Sequence, residues 1–407
     1  MIVKVQRVEQ QIIGKSHQKY KLIDEMCKKS KNLYNYANYI IRQEFIKTGN
    51  YIKYKDMNFN LKTTQQYKDC MSQPANCTLR LLDKNWKSFF VAIKDWKKNP
   101  NKYLGMPKPP KYLNKNGRFN WMIPNNSVRI EEGNKLHFLM KCLNDYNWKC
   151  RNLGRLIQVR FVPRGTCYIM EIVYEVEIDS NITENSTRIA SIDLGVNNFV
   201  TMTNNIGKQP IIINGKGLKS INQFYNKTRA KELSRIRHMH NKTWSKKLDQ
   251  ITFKRFKRIK NYIHNTSRFI VNYCLENNID TVVIGINHEW KQNSRLNKIA
   301  NQHFVQLPHD MLIKQLQYKC FDNNIKLIET EESYTSGTSF LDNEMPIKEN
   351  YNKSRRIERG LFKTNTGKLI NSDVNGSLQI MKKVFSNTIS YEIEAVLTPM
   401  VISVANI

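Results

Sequence analysis

From residue 188 onward, short β-branched runs alternate with long helical stretches, and this alternation restricts that half of the chain to an α/β sheet. Strand-like runs fall at Arg188 to Thr203, interrupted by Gly195, then at Gln209 to Asn214, Asp280 to Ile286 and Lys326 to Glu329. A long basic helical region, about Leu218 to Asn278, and a helix near Leu307 to Asn323 separate them. The opening runs are hairpin-like, so the sheet is expected to be mixed rather than purely parallel.

The first half reads differently. A strand is expected from Met1 to Gln11 and a helix from about Lys21 to Lys47, with Leu33, Tyr36, Ala37, Ile40 and Ile41 at helical spacing. A second helix, Thr78 to Lys98, carries the apolar stripe Leu82, Trp86, Phe89, Phe90, Ile93 and Trp96. Its lysines line the other side, as a solvated face or as a contact for nucleic-acid backbone. Pro107-Lys108-Pro109-Pro110 breaks the helical pattern. Residues 116–177 then turn strand-like, as in Leu156-Ile157-Gln158-Val159-Arg160-Phe161, and read as a small barrel or sheet domain. The polar stretch Asp179 to Thr187 reads as a linker.

Charge points to the partner. The 66 Lys and Arg against 34 Asp and Glu leave a net charge of +32, spread along the chain, which suits a long polyanion better than a membrane surface. With 407 residues and 40% hydrophobic content, the chain is long and apolar enough for two or three folded domains. No run of about eighteen apolar residues is present, so no membrane span is expected. The N-terminus lacks the apolar segment of a signal peptide, and a cytoplasmic location is the default expectation. The eight cysteines form no CxxC pair, which favours neither a zinc site nor a disulfide framework.

Two aspartates stand at the edges of apolar runs: Asp193 after Ile189-Ala190-Ser191-Ile192, and Asp373 after Leu369-Ile370-Asn371-Ser372. Carboxylates at strand ends in so basic a chain fit a divalent-metal site facing phosphate. The competing accounts are a turn-capping Asp at 193 and an Asx turn or helix cap at 373. A third acid must come from the region between. After the strand Thr281 to Ile284 the expected position is Gly285, and Glu289 follows four positions on. After Lys326 to Ile328 come Glu329, Glu331 and Glu332. Alternation puts Glu329 and Glu331 on one face and Glu332 on the other. Glu331 is the preferred third ligand, then Glu332, then Glu289.

Several segments, taken in order, resemble the TnpB family of transposon-encoded, RNA-guided DNA nucleases related to type V CRISPR effectors. In the first half these are Asn35-Tyr36-Ala37-Asn38-Tyr39-Ile40-Ile41-Arg42-Gln43-Glu44-Phe45, Leu82-Asp83-Lys84-Asn85-Trp86-Lys87-Ser88-Phe89-Phe90 and Gly105-Met106-Pro107-Lys108-Pro109-Pro110-Lys111-Tyr112. In the second half they are Ser191-Ile192-Asp193-Leu194-Gly195-Val196-Asn197-Asn198, Asn287-His288-Glu289-Trp290-Lys291-Gln292, Glu331-Glu332-Ser333-Tyr334-Thr335-Ser336 and Asn371-Ser372-Asp373-Val374-Asn375-Gly376.

The resemblance implies a multidomain α/β and β-barrel protein. Residues 1–20 and 116–187 would form an oligonucleotide-binding, wedge-type barrel, and residues 21–115 an inserted helical recognition domain. Residues 188–407 would form a RuvC-type, ribonuclease-H-like mixed-sheet domain with a loop insertion at about 333–366. It implies a guide RNA derived from the transposon end and double-stranded target DNA with a short adjacent motif, hydrolysed with Mg2+ or Mn2+. Asp193 would be the first catalytic carboxylate and Asp373 the last. Two departures stand out. The family's middle glutamate falls on Gly285, which a rearranged Glu331 or Glu332 would replace. The family's four-cysteine module is absent after Ser336, so no structural zinc is expected, and Arg355, Arg356 and Arg359 are candidates to hold that loop. Arg359 is the preferred arginine for the scissile phosphate. A monomer is expected. The alternatives are an RNA-guided DNA-binding protein or repressor that does not cut, and a structural RNA-binding protein.

Overall fold

Two hydrophobic patterns, period two in the strands and near 3.6 in the helices, build two compact units that divide between Ile178 and Asp179. A computed structural model describes residues 2–182, 184–287, 306–358, 360–386 and 397–404.

In the first unit, β1 (Ile2–Ile13) leads into four helices: α1 (Tyr20–Thr48), α2 (Tyr54–Leu61), α3 (Gln65–Asp69) and α4 (Ser72–Lys98). Helix α1 stops at Gly49, whose φ of 73° suits a residue without a side chain and lets its N–H close on the Phe45 carbonyl. The first half of the α4 stripe packs as its spacing predicts: Leu82 and Trp86, with Leu79, are buried with Leu33, Ala37 and Ile41 of α1, Phe89 and Phe90 are half-buried against them, and Ile93 and Trp96 stay partly exposed outside this core. Lys84, Lys87, Lys94, Lys97 and Lys98 face solvent. Trp86 is fully buried, and truncating it to Ala would cost about 3–5 kcal/mol. Tyr34 is buried in this core, whereas Tyr39 is 52% exposed.

The chain then forms β2 (Trp121–Pro124), β3 (Val128–Glu131), β4 (Lys135–Phe138), α5 (Lys141–Asn144), β5 (Trp148–Lys149), β6 (Arg155–Arg164) and β7 (Cys167–Asp179). The first strand of the chain returns here, giving a sheet of order β1-β7-β6-β2 beside a three-stranded sheet β3-β4-β5. Strands β6 and β7 form a hairpin whose turn places Gly165 at φ 57°, the left-handed geometry such turns require. Trp121, Phe138, Trp148, Phe161 and Tyr174 fill the core with Ile23 and Met26 of α1.

In the second unit, β8 (Ile189–Asp193), β9 (Asn198–Asn204) and β10 (Ile211–Asn214) form an antiparallel meander. The basic helical region predicted at 218–278 is two helices, α6 (Lys216–His240) and α7 (Lys246–Glu276). Asn241 breaks it in a left-handed conformation, φ 47°, and the Ser245 hydroxyl restarts it by accepting the Leu248 N–H at 3.2 Å. Next come β11 (Thr281–Ile286), α8 (His309–Asp322), β12 (Lys326–Glu331), the hairpin β13 (Leu361–Lys363) and β14 (Leu369–Asn371), α9 (Ser372–Val384) and β15 (Met400–Ile402). The six-stranded sheet has the order β12-β11-β8-β9-β10-β15, with β8, β11 and β12 parallel and β8-β9-β10 antiparallel. It is mixed, as the hairpin-like opening predicts.

Alternation divides this sheet cleanly. Ala190, Ile192, Val282 and Ile284 pack with Ile263, Ile270, Leu312 and Leu316 of α7 and α8. Ile189, Val283 and Ile328 turn the other way, onto Ile380 and Met381 of α9. Among the described residues no helix is long and apolar enough to cross a membrane.

Candidate active site

The face covered by α9 is the one that matters for the acids. On β8, Ile189 and Ser191 belong to it, so Asp193 belongs to it too. On β12, Ile328 belongs to it, so Thr330 and Glu332 follow and Glu331 does not. The register pairs Ile192 with Ile284 and Gly285 with Thr330, which sets Asp193, Gly285 and Glu332 in a row across the C-terminal ends of three parallel strands.

Helix α9 docks onto this row through hydroxyls. Ser191 Oγ donates to the Ser377 carbonyl at 2.7 Å and meets Thr203 Oγ1 at 2.7 Å, while Ser377 Oγ donates to the Ser191 carbonyl at 3.0 Å. These fully buried polar groups satisfy one another and set the height of the helix on the sheet. Close approach also needs glycine. A Cβ on Gly376 would stand 2.8 Å from Asp193 Oδ2, so a side chain there would displace the carboxylate. A Cβ on Gly285 would stand 2.5 Å from Ile380 Cδ1 and 3.4 Å from Glu332 Cβ. Ile380 thus occupies the place a side chain at 285 would take, with Glu332 beside it.

The capping account of Asp373 does not hold. Asn371 caps α9, its Oδ1 accepting the N–H groups of Asp373 at 2.9 Å and Val374 at 3.2 Å. Asp373 sits in the first turn with its carboxylate turned out of the helix, where Asn198 Nδ2 donates to Oδ2 at 2.7 Å. Arg356 reaches the other oxygen at 3.5 Å and donates to Ser372 Oγ at 3.0 Å.

The electrostatics follow from this packing. Burial, then the charges of Glu332 and Asp373, push the Asp193 carboxyl well above the ordinary range; Arg356 and the Leu194 N–H pull in the other direction without reversing it. Burial, with Glu331 adding repulsion, pushes Glu332 up to about 7. Glu332 and Asp373 are close enough to raise the proton affinity of Asp193, yet no three His, Cys, Asp or Glu side chains among the described residues converge as a finished ligand cage.

Not every candidate joins the row. Glu331, preferred from sequence, has a 65% exposed side chain 3.9 Å from Lys383 and stands outside the group; Glu332 takes its place. The physical reason is parity: α9 covers the face of Ile328, and Glu331 is odd to it. Glu289 and Arg359 lie outside the described residues. Of the two described loop arginines, Arg356 is the one at the carboxylates. Its neighbour Arg355 serves the loop, donating to Glu344 at 2.6 Å and to Asn365 at 2.8 Å. Glu344 also accepts the Ser339 N–H at 2.8 Å, and Asn375 ties Phe340 and Thr338 to α9. Asn198 escaped the sequence reading, although it closes the segment beginning at Ser191. Its signal was position, since a hairpin return sets it beside Asp193.

Residues 171–291 match the family model of the OrfB_IS605 probable transposases, and residues 309–380 match the Cas12f1-like TNB domain. A TnpB-like protein, ORF457 of Acidianus two-tailed virus, is 22% identical over 395 residues, covering 87% of this chain and 81% of that protein. Among solved structures, a Cas12f1–sgRNA–target DNA complex shares the fold at a TM-score of 0.54 and 15% identity, covering 89% of this chain and 82% of the other. The mini RNA-guided endonuclease CRISPR-Cas_phi3 shares it at a TM-score of 0.50 and 11% identity, covering 96% and 94%. Two family segments in succession, a relative aligned along most of both sequences and a multidomain α/β fold with a mixed sheet make the chain similar to TnpB-like proteins and Cas12f-type effectors.

Proposed function

We propose that the chain is an RNA-guided endonuclease of a transposable element. It would hydrolyse double-stranded DNA beside a short adjacent motif, using a guide RNA derived from the transposon end. The observation that carries this reading is the meeting of Asp193, Glu332 and Asp373 in a chain of net charge +32. The raised proton affinity of Asp193 and Glu332 favours a divalent cation over solitary ionisation, and an all-oxygen donor set suits Mg2+ or Mn2+. The residues therefore fit such ions, which Asp193, Glu332 and Asp373 would hold. Bound there, the ions would supply the charge neutralisation and water activation of two-metal phosphodiester hydrolysis.

The chain's own groups do the rest. Asn198 engages one oxygen of Asp373 and fixes the carboxylate plane. Arg356, at the rim beside Asp373, offers a guanidinium to a non-bridging phosphate oxygen. Gly376 lets Asp193 lie against α9. Pairing between guide and target strand supplies sequence choice, while the protein reads backbone shape and the flanking duplex. In this reading residues 188–407 form a RuvC-type, ribonuclease-H-like domain, residues 1–20 and 116–187 a wedge-type barrel, and residues 21–115 the recognition helices. Glu332, a carboxylate packed beside Gly285, supports cutting over a binding-only role.

The test is cleavage of a matched target duplex by the purified guide complex with Mg2+. Products with 5′ phosphates are expected, and Asp193→Ala should abolish them while guide RNA stays bound. Demonstrated target binding with no product across Mg2+ and Mn2+ titrations would leave an RNA-guided DNA-binding protein or repressor as the function.

A further inference from the structure

Helices α6 and α7 lie against each other along their length, and such a seam is ordinarily sealed by apolar side chains at positions i, i+3, i+4 and i+7. Here the facing stripes carry something else. Phe224 and Tyr225 on α6 and Ile251, Lys254, Arg255 and Arg258 on α7 line a cavity of about 180 Å³. Phe224 is 60% exposed, a large apolar ring left at the mouth. Lys254 and Arg258 are exposed beside it.

Arg255 is the fixed element. Its Nε donates to Asn222 Oδ1 at 2.7 Å, and its guanidinium lies 4.8 Å from the centre of the Tyr225 ring. Asn222 is itself buried, so the contact locks the arginine in the groove. Burial lowers the proton affinity of Arg255 below its ordinary value, a cost that no carboxylate on these helices relieves. Between residues 216 and 276 the acids are Glu232, Asp249 and Glu276. Glu232 serves Arg235 and Lys247, and Asp249 accepts from the Trp244 indole. Among the described residues the groove therefore joins two aromatic faces to three cations, with no acid in its lining.

We propose that this α6–α7 groove captures one unpaired base of a single-stranded nucleic acid, with Phe224 and Tyr225 stacking on it and Lys254, Arg255 and Arg258 meeting its flanking phosphates. The size of the cavity admits a flat ring system rather than a helix, and the charge selects a polyanion. The inference rests on the nucleic-acid reading above but not on cutting, so the two can fail separately.

The experiment uses the full-length chain and labelled twelve-nucleotide probes: oligo-U, oligo-dT and the matching abasic strands. Base-bearing probes should bind about tenfold tighter than abasic ones. Phe224→Ala and Tyr225→Ala should erase that ratio. Arg258→Gln should weaken all probes alike and lower the salt slope by about one, leaving the ratio intact. 5-Iodouracil strands should photocrosslink at residue 224 or 225, and the stronger of the RNA and DNA arms names the strand. Lys246→Gln, on the same helix but outside the groove, should leave the base-to-abasic ratio unchanged. Equal affinity for base-bearing and abasic strands, or crosslinks that map elsewhere, would overturn the proposal and favour a protein side chain as the occupant. Asp193→Ala should change none of these readouts, so failure of cleavage and failure of this groove remain distinguishable.

Discussion

Glu171 in the first unit and Asp193 in the second are both carboxylates on sheets, and they are treated in opposite ways. Glu171, 7% exposed, accepts from Arg160 at 2.5 Å and Gln10 at 2.8 Å, so its charge is answered within the fold. Asp193 meets the charges of Glu332 and Asp373, which Arg356 opposes without cancelling. One carboxylate ties strands together. The other is held at a cost that a bound cation would relieve, as the proposed site requires.

The sharpest way to break this comparison is Asp193→Ala. Cleavage should fall at least about a thousandfold with guide binding intact, because the loss removes electrostatic support for the reacting phosphate. Glu171→Gln should leave cleavage within about twofold once the protein is folded. A gel assay on matched duplex reads both, and comparable losses in the two variants would erase the distinction.

Glu332→Gln should cost about a hundredfold, whereas Glu331→Gln should stay within about threefold. Full activity in Glu332→Gln would move the third ligand elsewhere, with Glu289 next in line. Gly376→Ala should lower cleavage about tenfold or more by pushing on Asp193 Oδ2. An alanine inside a helix would otherwise stabilise by up to about 1 kcal/mol, so a retained or raised melting temperature with lost activity separates site from fold.

The smallest effect concerns pH. Glu332 is raised in the folded chain to about 7, so the folded state binds more protons than the unfolded one. Stability from this group is fully present below its unfolded value near 4.5 and is lost as pH rises through about 7. Urea melts in EDTA should lose about 1–3 kcal/mol across that window from this group, Glu332→Gln should reduce the loss to what the raised Asp193 carboxyl contributes, and Mg2+ should restore stability at the alkaline end. A melt with no slope between pH 4.5 and 7 would contradict the raised carboxyl.

Much of this was legible without coordinates. Trp86 and Leu82 announced a buried stripe by spacing, and Asp193 and Asp373 announced themselves as acids ending apolar runs. Period alone places such residues, because the backbone geometry of helix and strand is local. Arg356 was legible only as one of three arginines, since a loop has no period to choose among them. Asn371 rather than Asp373 caps α9, a choice between adjacent side chains that local patterns do not make.

By itself the sequence determined the alternation of strands and helices, the basic surface and the parity that separates Glu331 from Glu332. Only tertiary structure decided which parity counts, because that depends on which sheet face α9 covers. It also decided that Gly376 and Gly285 permit the approach of a helix from nearly two hundred residues downstream of Asp193. Local propensity reaches a few residues along the chain, whereas a site built from three strand ends and a helix exists only after non-local packing has paid its entropy.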